Sequence, residues 1–535
     1  MILVCRLSVA CLIGILATCS SCTDDDAVSD ASTDTDSDTD TDTDIDTDTD
    51  TDADSGTETD SGTDTDTGTD TDTETGLGGE YLWHTYYGSG SAMTSGLAIG
   101  LDSSGYVYIA GGSPYSWTGP SGESPIHNLA GVGGFYVLKL SSSGAYQWHT
   151  FQDLVSGGVS DASVDSDGNV YILGDAYISW NGPGGEAPLH AFVESEPGIG
   201  ENIVVVKFDT NGNYQWHTFY GAAGATLPII IPGAIQFSNS DGMLYLAGSS
   251  DYSWTGPAGE DPLNGHSGSS DLFVLSLDSD GTYAWHTFLG TGGASSIVAD
   301  ATGHLFLAGG SSVSWNGPGG EEPLNPHSGN HDAHVVSMTT DGDYLWHTFF
   351  GSGLGEDTFT SIAVDADGSI YAVGYSYASW DGPESQAPLH AFSGEDDILV
   401  TKLNDTGTYE WHTFYGSMYY DEAFSVASDG SGQLLITGCS WLYWYGPDDQ
   451  EPLNPHAGLE NDDIFVLSLD SDGSYYWHTF YGDLTGNEGI AIAVDTGENV
   501  YVTGGTGGPW EGPDGQPPLN EFPGGDPMFV LKLGI

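Results

Sequence analysis

Two tryptophan motifs, each present seven times, constrain the fold of this chain more than any other feature of its sequence. Trp-His-Thr recurs at intervals of 61 to 69 residues, and a Trp-x-Gly-Pro motif follows each copy. Together they contain 14 of the 15 tryptophans, so a regular period runs through the chain. Such a period indicates units that fold by packing on their neighbours. The Trp-His-Thr tryptophans, which we interpret as structural anchors, are Trp83, Trp148, Trp216, Trp285, Trp346, Trp411 and Trp477.

Each repeat contains four strand-like runs, which are clearest between residues 360 and 414. The runs read SIAVD, IYAVG, ILVTKL and YEWHTF, and the turns DADG and NDTG separate the first from the second and the third from the fourth. Short apolar runs joined by such turns are typical of β-hairpins. Four strands in each of seven units predict an all-β fold, a seven-bladed β-propeller of four-stranded antiparallel blades, over residues 81–535.

The two ends of the repeat region predict how the ring closes. Residues 81–86, YLWHTY, match a fourth strand without its first three, and residues 529–533, FVLKL, match a third strand without its fourth. Pairing the N-terminal strand with the C-terminal one would complete the seventh blade and remove two open sheet edges.

Several motifs in fixed order resemble a known repeat family. Residues 365–374 (DADGSIYAVG), 397–403 (DILVTKL) and 411–416 (WHTFYG) are similar to the SBBP β-propeller repeat of bacterial surface and secreted proteins. All seven units carry the pattern, which departs from the family in its long Trp-x-Gly-Pro insert and in three serines, Ser276, Ser337 and Ser468, that replace the usual lysine. The resemblance implies the propeller fold and leaves the function open, because the family has no established common activity.

Residues 1–22 have the pattern of a signal peptide. One positive charge, Arg6, precedes an apolar run too short to span a bilayer, and cysteines follow it. This end is similar to the lipobox of bacterial lipoproteins, which implies a lipid-anchored protein of the bacterial outer membrane or cell surface. We predict that Cys22, preceded by the small Ser21, is the lipidated residue, with Cys19 as the alternative. Ordinary secretion is the simpler alternative.

Residues 23–80 are predicted to form a disordered acidic tether. Long runs of alternating Thr and Asp offer almost no apolar surface to bury, and like charges two residues apart repel each other. We interpret the segment as a spacer between membrane and propeller. Weak Ca²⁺ accumulation and O-glycosylation of its threonines are alternative roles.

The charge balance excludes whole classes of partner. The chain has 78 acidic residues against 5 lysines and arginines, a net charge of −73, so it lacks the clustered cations that hold nucleic acid. Residues 24–76 contain 22 of the acids, and the 56 others face four lysines in the propeller. Such self-repulsion predicts a monomer stabilised by NaCl or Ca²⁺. Weakly bound Ca²⁺ is the only cofactor that the sequence suggests.

Features found in one blade only are the best candidates for a ligand site, because a residue present in every blade more often serves the blade. Connections between blades and loops between second and third strands share one face of a propeller, here called the loop face. In the sixth unit this face should carry Tyr419, Tyr420, Trp441 and Tyr443, and in the third unit an inserted apolar run should place Ile230 there. Ordinary variation between blades is the simpler interpretation. A ring of sugar-binding Trp-x-Gly-Pro tryptophans is a further alternative.

No catalytic or metal site is predicted. The mature chain lacks the arginines that a sialidase needs. The three histidines His327, His331 and His334 run from a loop into a strand, so their spacings of four and three do not place them on one face as they would on a helix. The sequence therefore predicts a surface lipoprotein that displays a non-enzymatic recognition or scaffold module, with polysaccharides or surface proteins as partners. The alternatives are a lectin-like carbohydrate binder and a carbohydrate-active hydrolase or lyase that uses paired carboxylates.

Overall fold

A computed structural model describes residues 78–131, 133–153, 157–195, 200–223, 229–268, 270–458 and 461–535. The predicted signal peptide, both lipidation candidates (Cys19 and Cys22) and the tether up to residue 77 lie outside the described residues. Seven four-stranded antiparallel sheets are arranged in a ring, which confirms the predicted seven-bladed β-propeller. No helix in the described part of the chain has the length and apolar character needed to cross a membrane.

Each blade uses its strands in chain order from the axis outward. Blade one consists of β2–β5, blade two of β6–β9, and so on to blade seven, which consists of β26, β27, β28 and β1. The first strands are β2 (Ser95–Leu101), β6 (Val159–Val164), β10 (Ile230–Ser238), β14 (Gly293–Ala299), β18 (Asp357–Val364), β22 (Asp421–Ser428) and β26 (Asn487–Val494). The second strands are β3 (Val107–Ser113), β7 (Val170–Ala176), β11 (Met243–Ser250), β15 (His304–Ser311), β19 (Ile370–Ser376), β23 (Leu434–Ser440) and β27 (Asn499–Thr506). The third strands are β4 (Gly134–Leu140), β8 (Asn202–Phe208), β12 (Asp271–Asp278), β16 (Asp332–Thr339), β20 (Asp397–Leu403), β24 (Asp463–Leu469) and β28 (Met528–Gly534). The fourth strands are β5 (Tyr146–Asp153), β9 (Tyr214–Gly221), β13 (Tyr283–Thr291), β17 (Tyr344–Phe350), β21 (Tyr409–Tyr415), β25 (Tyr475–Tyr481) and β1 (Glu80–Tyr87).

The predicted ring closure is confirmed. Strand β1 pairs antiparallel with β28, from Glu80 opposite Gly534 to Tyr87 opposite Met528. The first strand of the propeller in sequence is therefore the outermost strand of the last blade. This pairing joins the two ends of the ring through backbone hydrogen bonds rather than through side chains alone.

The core consists of apolar layers between neighbouring blades. Second and third strands are almost completely buried, as the sequence IYAVG and its equivalents indicate. Between blades five and six, for example, Tyr371, Val373, Ile436 and Phe465 belong to one buried cluster. Burying each such side chain contributes about 1.5–3 kcal/mol, so the ring is stabilised by many similar interfaces.

The long loops between second and third strands run along the outer edges of the blades. In blade three, the N–H of Leu263 donates to the carbonyl oxygen of His286 (2.9 Å), and the N–H of Phe288 donates to that of Asn264 (3.1 Å). Two backbone groups of β13 that would otherwise face solvent are thereby paired. The first of these bonds is present in every blade, donated by Ile126, Leu189, Leu263, Leu324, Leu389, Leu453 and Leu519.

This loop path places the Trp-His-Thr tryptophans at contacts between blades. Gly281, in the turn before β13, has a φ of +80°, and a β-carbon there would lie 2.6 Å from Leu189 Cδ1 and 3.1 Å from the Trp216 ring. Leu189 and Trp216 belong to blade two, whereas Gly281 belongs to blade three. Glycine is required at this turn for its backbone conformation and for the close approach of the two blades.

Candidate functional site

A three-residue module on the outer strand explains why the two tryptophan motifs occur together. In blade three, the Trp254 ring stacks on the His286 ring with 4.1 Å between centroids. Nε2 of His286 lies 3.0 Å from the carbonyl oxygen of Trp254, and Nδ1 lies 2.7 Å from the hydroxyl oxygen of Tyr283. Since a carbonyl only accepts hydrogen bonds, Nε2 carries the proton and Nδ1 accepts the Tyr283 hydroxyl. Burial lowers the pKa of His286 and so favours this neutral imidazole, both of whose nitrogens have a hydrogen-bond partner.

All seven blades contain this module. The ring stacking distances are 3.7–4.1 Å, the Nε2 to carbonyl distances 2.9–3.1 Å and the Nδ1 to hydroxyl distances 2.5–2.7 Å. Burial lowers the pKa of these histidines, to about 4 for His84, His217, His347, His412 and His478.

The alternative of a ring of sugar-binding tryptophans is wrong. The seven Trp-x-Gly-Pro tryptophans are only 3–8% exposed, because their faces are covered by the histidines. They fasten each long loop to its own outer strand.

An open pocket of about 450 Å³ lies on the loop face, between blades five and six. Its floor is formed by the connection between the blades, at Gly416, Ser417 and Met418, and its wall by the loop after β23. Met418 is 64% exposed, and Nδ1 of His390 at the edge donates to the carbonyl oxygen of Phe414 (2.8 Å). The pocket is lined by His390, Gly416, Ser417, Met418, Leu442, Tyr443, Trp444, Tyr445, Gly446, Pro447, Asp448 and Asp449.

Two tyrosines present aromatic rings at this pocket. Tyr443 and Tyr445 are 44% and 43% exposed, and their rings meet edge to face with 5.6 Å between centroids. Trp444 between them points inward and stacks on His478. Because the module fixes Trp444, the backbone on both sides is fixed as well, and the two tyrosines are held outward without any partner of their own in the core.

The tyrosine pair is found in blade six alone. The residue before the Trp-x-Gly-Pro tryptophan is serine in blades one to five and proline in blade seven, and the residue after it is Thr, Asn, Asp or Glu in all six. The sixth blade thus replaces two small or polar residues with two aromatic ones at the same positions on a common scaffold.

The turn beside the tyrosines has an unusual backbone. Asp448 and Asp449, in the 3₁₀ turn Pro447–Asp449, have φ values of 57° and 61°. Five other blades, one to four and seven, place glycine at the second of these positions, whereas blade five has the same conformation at Glu384 and Ser385. A left-handed conformation costs a non-glycine residue about 1–3 kcal/mol, and such strain is often found at binding sites. Here it places two carboxylates at the rim of the pocket.

The structure brings together most of the predicted ligand face. Tyr443 lines the pocket, and Tyr419, 40% exposed, lies on the connection next to Met418. Tyr420 and Trp441 are half-buried, and the N–H of Trp441 donates to the carbonyl oxygen of Tyr420 (3.0 Å). These residues therefore form one continuous surface on two segments of the chain.

Ile230 does not belong to that surface. It is the first residue of β10, is 0% exposed and packs in the core between blades two and three. Its predicted place on a ligand face is wrong, because side chains alternate along a strand and this one points inward. The neighbouring Ile229 is 48% exposed.

Sequence reasoning missed Tyr445, Met418 and His390. Tyr445 was detectable, since an aromatic residue at the second position of Trp-x-Gly-Pro occurs in this blade only. Met418 and His390 carry no such signal, because their place at the pocket depends on how three separate segments meet.

The described residues contain no group of three or more His, Cys, Asp or Glu side chains arranged to hold a metal ion. His334 is fully buried, and neither ring nitrogen has a hydrogen-bond partner in the described structure. Burial lowers its pKa to about 3. It occupies the position of Phe273 in blade three, so it fills core volume.

Comparisons with known proteins give distant matches. No family model matches the chain, so the resemblance to the SBBP repeat rests on its motifs. The regulatory protein FlaEY of Caulobacter vibrioides is 27% identical over 397 residues, which is 68% of this chain and 38% of that protein. This chain thus spans well under half the length of that relative.

Solved structures similar to the chain cover most of it at low identity. A protein of unknown function from Dyadobacter fermentans has 10% identity and a TM-score of 0.39, covering 86% of this chain and 99% of its own. The virginiamycin B lyase of Staphylococcus aureus has 11% identity and a TM-score of 0.38, covering 84% and 99%. Sqt1 of Chaetomium thermophilum has 13% identity and a TM-score of 0.36, covering 85% and 98%. At these scores they add nothing to what the strand order shows.

Proposed function

We propose that this protein is a lipid-anchored surface protein of the SBBP type whose propeller is a non-enzymatic recognition module, and that it binds carbohydrate in the pocket between blades five and six. The observation that carries the proposal is the exposed pair Tyr443 and Tyr445, which is present in one blade of seven. Aromatic faces stack on the apolar faces of sugar rings, and nearby carboxylates accept hydrogen bonds from sugar hydroxyls.

The charge of the chain supports this class of ligand. A neutral or weakly charged polysaccharide does not require the guanidinium groups that an anionic ligand needs, and the propeller contains no arginine. The open shape of the pocket suits an extended chain whose ends continue beyond the protein. The carboxylates at the rim, Asp448 and Asp449, are adjacent in sequence, so they belong to one side of the pocket rather than to two opposed sides of a bound sugar.

The proposal is tested with the full-length protein on a panel of purified polysaccharides, measuring both retention on the immobilised glycan and release of oligosaccharides. We expect retention without product release. Tyr443→Ala and Tyr445→Ala should each weaken binding about fivefold or more, as removal of a stacking aromatic costs about 1–3 kcal/mol.

Tyr115→Ala provides the matched control. Tyr115 is 46% exposed and lies in the corresponding loop of blade one, so its loss should leave retention unchanged. Release of oligosaccharides would instead show that the propeller is an enzyme and would contradict a non-enzymatic recognition module. Failure to bind any glycan, or equal losses in all three variants, would contradict a carbohydrate site at this pocket and favour a protein partner.

The membrane part of the proposal has its own test. We expect metabolic labelling with a fatty acid to mark the wild-type chain and a Cys19→Ser variant, but not a Cys22→Ser variant. Labelling lost only in Cys19→Ser would move the anchor to Cys19. Absence of labelling in the wild type would make this an ordinary secreted protein.

A further inference from the structure

Buried carboxylates are concentrated where neighbouring blades meet on the loop face. The third strand begins with aspartate in blades three to six, and all four side chains are 0% exposed: Asp271, Asp332, Asp397 and Asp463. At three of these junctions the first strand of the next blade begins with a second buried polar residue: Asp357, Asp421 or Asn487. A buried carboxylate needs a cation, a proton or several hydrogen bonds to offset its lost hydration.

Three of the four junctions supply an imidazole. Nδ1 of His266 lies 3.9 Å from Asp271, that of His327 lies 3.9 Å from Asp332, and that of His456 lies 3.4 Å from Asp463. Each of these histidines precedes its aspartate by five to seven residues in the long loop.

The junction between blades five and six differs at this position. Phe392 replaces the histidine, and its ring packs on Phe414 with 5.6 Å between centroids, as His327 packs on Phe349 at 5.3 Å. The ring packing is the same at both positions, but Phe392 provides no imidazole. Among the described residues no lysine forms an ion pair with Asp397 or Asp421. The two carboxylates therefore lie together without a cationic neighbour.

Hydrogen bonds satisfy three of the four carboxylate oxygens. Asp421 Oδ2 accepts from the N–H (2.6 Å) and hydroxyl (2.8 Å) of Ser417, and Oδ1 accepts from the hydroxyl of Ser440. Asp397 Oδ2 accepts from the N–H (2.6 Å) and hydroxyl (3.0 Å) of Ser393. Asp397 Oδ1 has no hydrogen bond of normal geometry among the described residues, although the N–H of Gly394 lies near the carboxylate.

The unpaired oxygen points to a place where other oxygens converge. A β-carbon on Gly394 would lie 2.6 Å from the carbonyl oxygen of Ser417, 2.7 Å from that of Tyr419 and 2.8 Å from Asp397 Oδ1. A β-carbon on Gly416 would lie 2.8 Å from the same Asp397 oxygen and 2.9 Å from Asp421 Oδ2. Four oxygens, from the first residues of β20 and β22 and from the connection between the blades, thus line the space next to two glycines. One of them, the carbonyl oxygen of Ser417, also accepts from the hydroxyl of Ser393 (3.1 Å).

We propose that this junction binds a calcium ion through Asp397 Oδ1, the carbonyl oxygens of Ser417 and Tyr419, and the Asp421 carboxylate. Carboxylate and carbonyl oxygens are the ligands that Ca²⁺ prefers, and Ca²⁺ tolerates an irregular set completed by water. Gly394 is half-buried and the flanking Ser393 and Glu395 are exposed, so the ion has a path from solvent. The site shares Gly416 and Ser417 with the tyrosine pocket, but the inference does not depend on what that pocket binds.

The other blade junctions explain why calcium is expected here only. At the junction of blades six and seven, Asn487 replaces the second carboxylate, and a β-carbon on Gly482 would lie 2.3 Å from Asp463 Oδ1 and 2.6 Å from the Asn487 amide nitrogen. The amide nitrogen of Asn487 and the imidazole of His456 therefore lie beside Asp463 where the junction of blades five and six has a second carboxylate and a phenylalanine. At the junction of blades four and five, the hydroxyl of Ser328 donates to both oxygens of Asp332 (2.8 and 2.9 Å).

The test is terbium luminescence on the full-length protein after chelator treatment, with calcium competition and with ionic strength held constant. Tyr419 and Trp444 lie close enough to sensitise a bound lanthanide, whereas a lanthanide on the tyrosine-free tether receives no such excitation. We expect one saturable signal that Ca²⁺ displaces and equimolar Mg²⁺ does not. Asp397→Asn should weaken binding at least about tenfold, since the charge of the ligands sets affinity.

Asp271→Asn is the matched control, because Asp271 is equally buried, also has one unpaired oxygen, and has His266 beside it. This variant should keep the signal. Phe392→His, which restores the imidazole of the other junctions, should weaken calcium binding while preserving the fold in a circular dichroism spectrum. A signal unchanged in both Asp397→Asn and Phe392→His would overturn the site. So would its absence in the folded wild type, which would leave the two carboxyl groups sharing a proton.

Discussion

The outer rim of this propeller, formed by the fourth strands and the loops that lie along them, is nearly identical in all seven blades, whereas the loop face differs between blades. On the rim, one module of tryptophan, histidine and tyrosine recurs in all seven blades with ring distances that vary by 0.4 Å. On the loop face, the surface between blades five and six carries two residues whose positions hold no aromatic residue in any other blade: Tyr443 and Tyr445. The same backbone therefore carries two kinds of residue. Those of the outer rim are the same in every blade and stabilise it, whereas those of the loop face differ between blades.

This difference separates residues by what their loss should do. A rim residue is buried and paired, so removing it should lower stability whichever blade is changed. A loop-face residue in the specialised region is exposed, so removing it should change binding and leave stability nearly intact. Four variants test this division.

Deletion of residues 80–87 should have the largest effect. Strand β1 supplies the outer strand of blade seven and the histidine and tyrosine of its module, His84 and Tyr81. We expect a chain without a cooperative thermal transition, measured by calorimetry. Deletion of residues 30–70 in the tether is the control and should leave the transition in place. An unchanged melting temperature in the first deletion would contradict closure of the ring by β1.

Trp444→Ala should cost about 3–5 kcal/mol in the free energy of unfolding, because it removes a buried indole and the ring that stacks on His478. Tyr443→Ala and Tyr445→Ala, on either side of it, should change stability by less than about 0.5 kcal/mol. Urea denaturation of the three variants gives the comparison within one loop. Similar decreases in the free energy of unfolding for all three variants would contradict a structural role for the rim residue that the pocket residues lack.

The rim modules should also respond to acid. Burial lowers the pKa of His217 from 6.5 to about 4, so below pH 6.5 the unfolded chain takes up a proton that the folded chain does not. The stability that this histidine contributes is present above pH 6.5 and is lost as the pH falls through 4. In His217→Gln that dependence is absent.

The gap in unfolding free energy between wild type and His217→Gln should therefore shrink by up to about 1.4 kcal/mol for each pH unit between 6.5 and 4. Buried carboxylates are common to both proteins and cancel in this difference. Denaturation curves at four pH values measure it. A gap that stays constant would mean that the imidazole is charged or exposed in the folded protein.

His334→Phe should give a small and favourable change in stability. Both ring nitrogens of His334 are buried without partners, and blade three has Phe273 at the equivalent position. Replacing an unsatisfied buried polar group should raise the free energy of unfolding by about 1–2 kcal/mol. His304→Phe, at a partly exposed histidine of the same blade, is the control and should be nearly neutral. A destabilised His334→Phe would indicate that this imidazole has a role outside packing.

The architecture could be predicted from the sequence because the same pattern of strands and motifs recurs in seven repeats. The predicted run ILVTKL falls within β20 (Asp397–Leu403), and SIAVD falls within β18 (Asp357–Val364) except for its last residue. The closing pair of terminal strands is where the incomplete end repeats place it. Each repeat shows the same order of strands, so a strand that is ambiguous in one repeat can be identified from the other six.

The site could be predicted only in part, since it depends on contacts that occur once. The aromatic residues of blade six were visible in the sequence, but the direction of Ile230 was not, because an inserted segment shifts the alternation of inward and outward side chains. The path of the long loops depends on hydrogen bonds such as that from His286 to Trp254, 32 residues apart. No local pattern specifies such a contact.

The long loops that lie along the outer strands have a further consequence for crowded surroundings. An exposed edge strand can pair with a strand of another chain, and many β-proteins begin to aggregate in this way. Here each of the seven margins is already occupied by the blade's own loop, which donates to the carbonyl oxygen of the module histidine. Many copies can therefore stand side by side at high density without merging into fibres, and each keeps its loop face free.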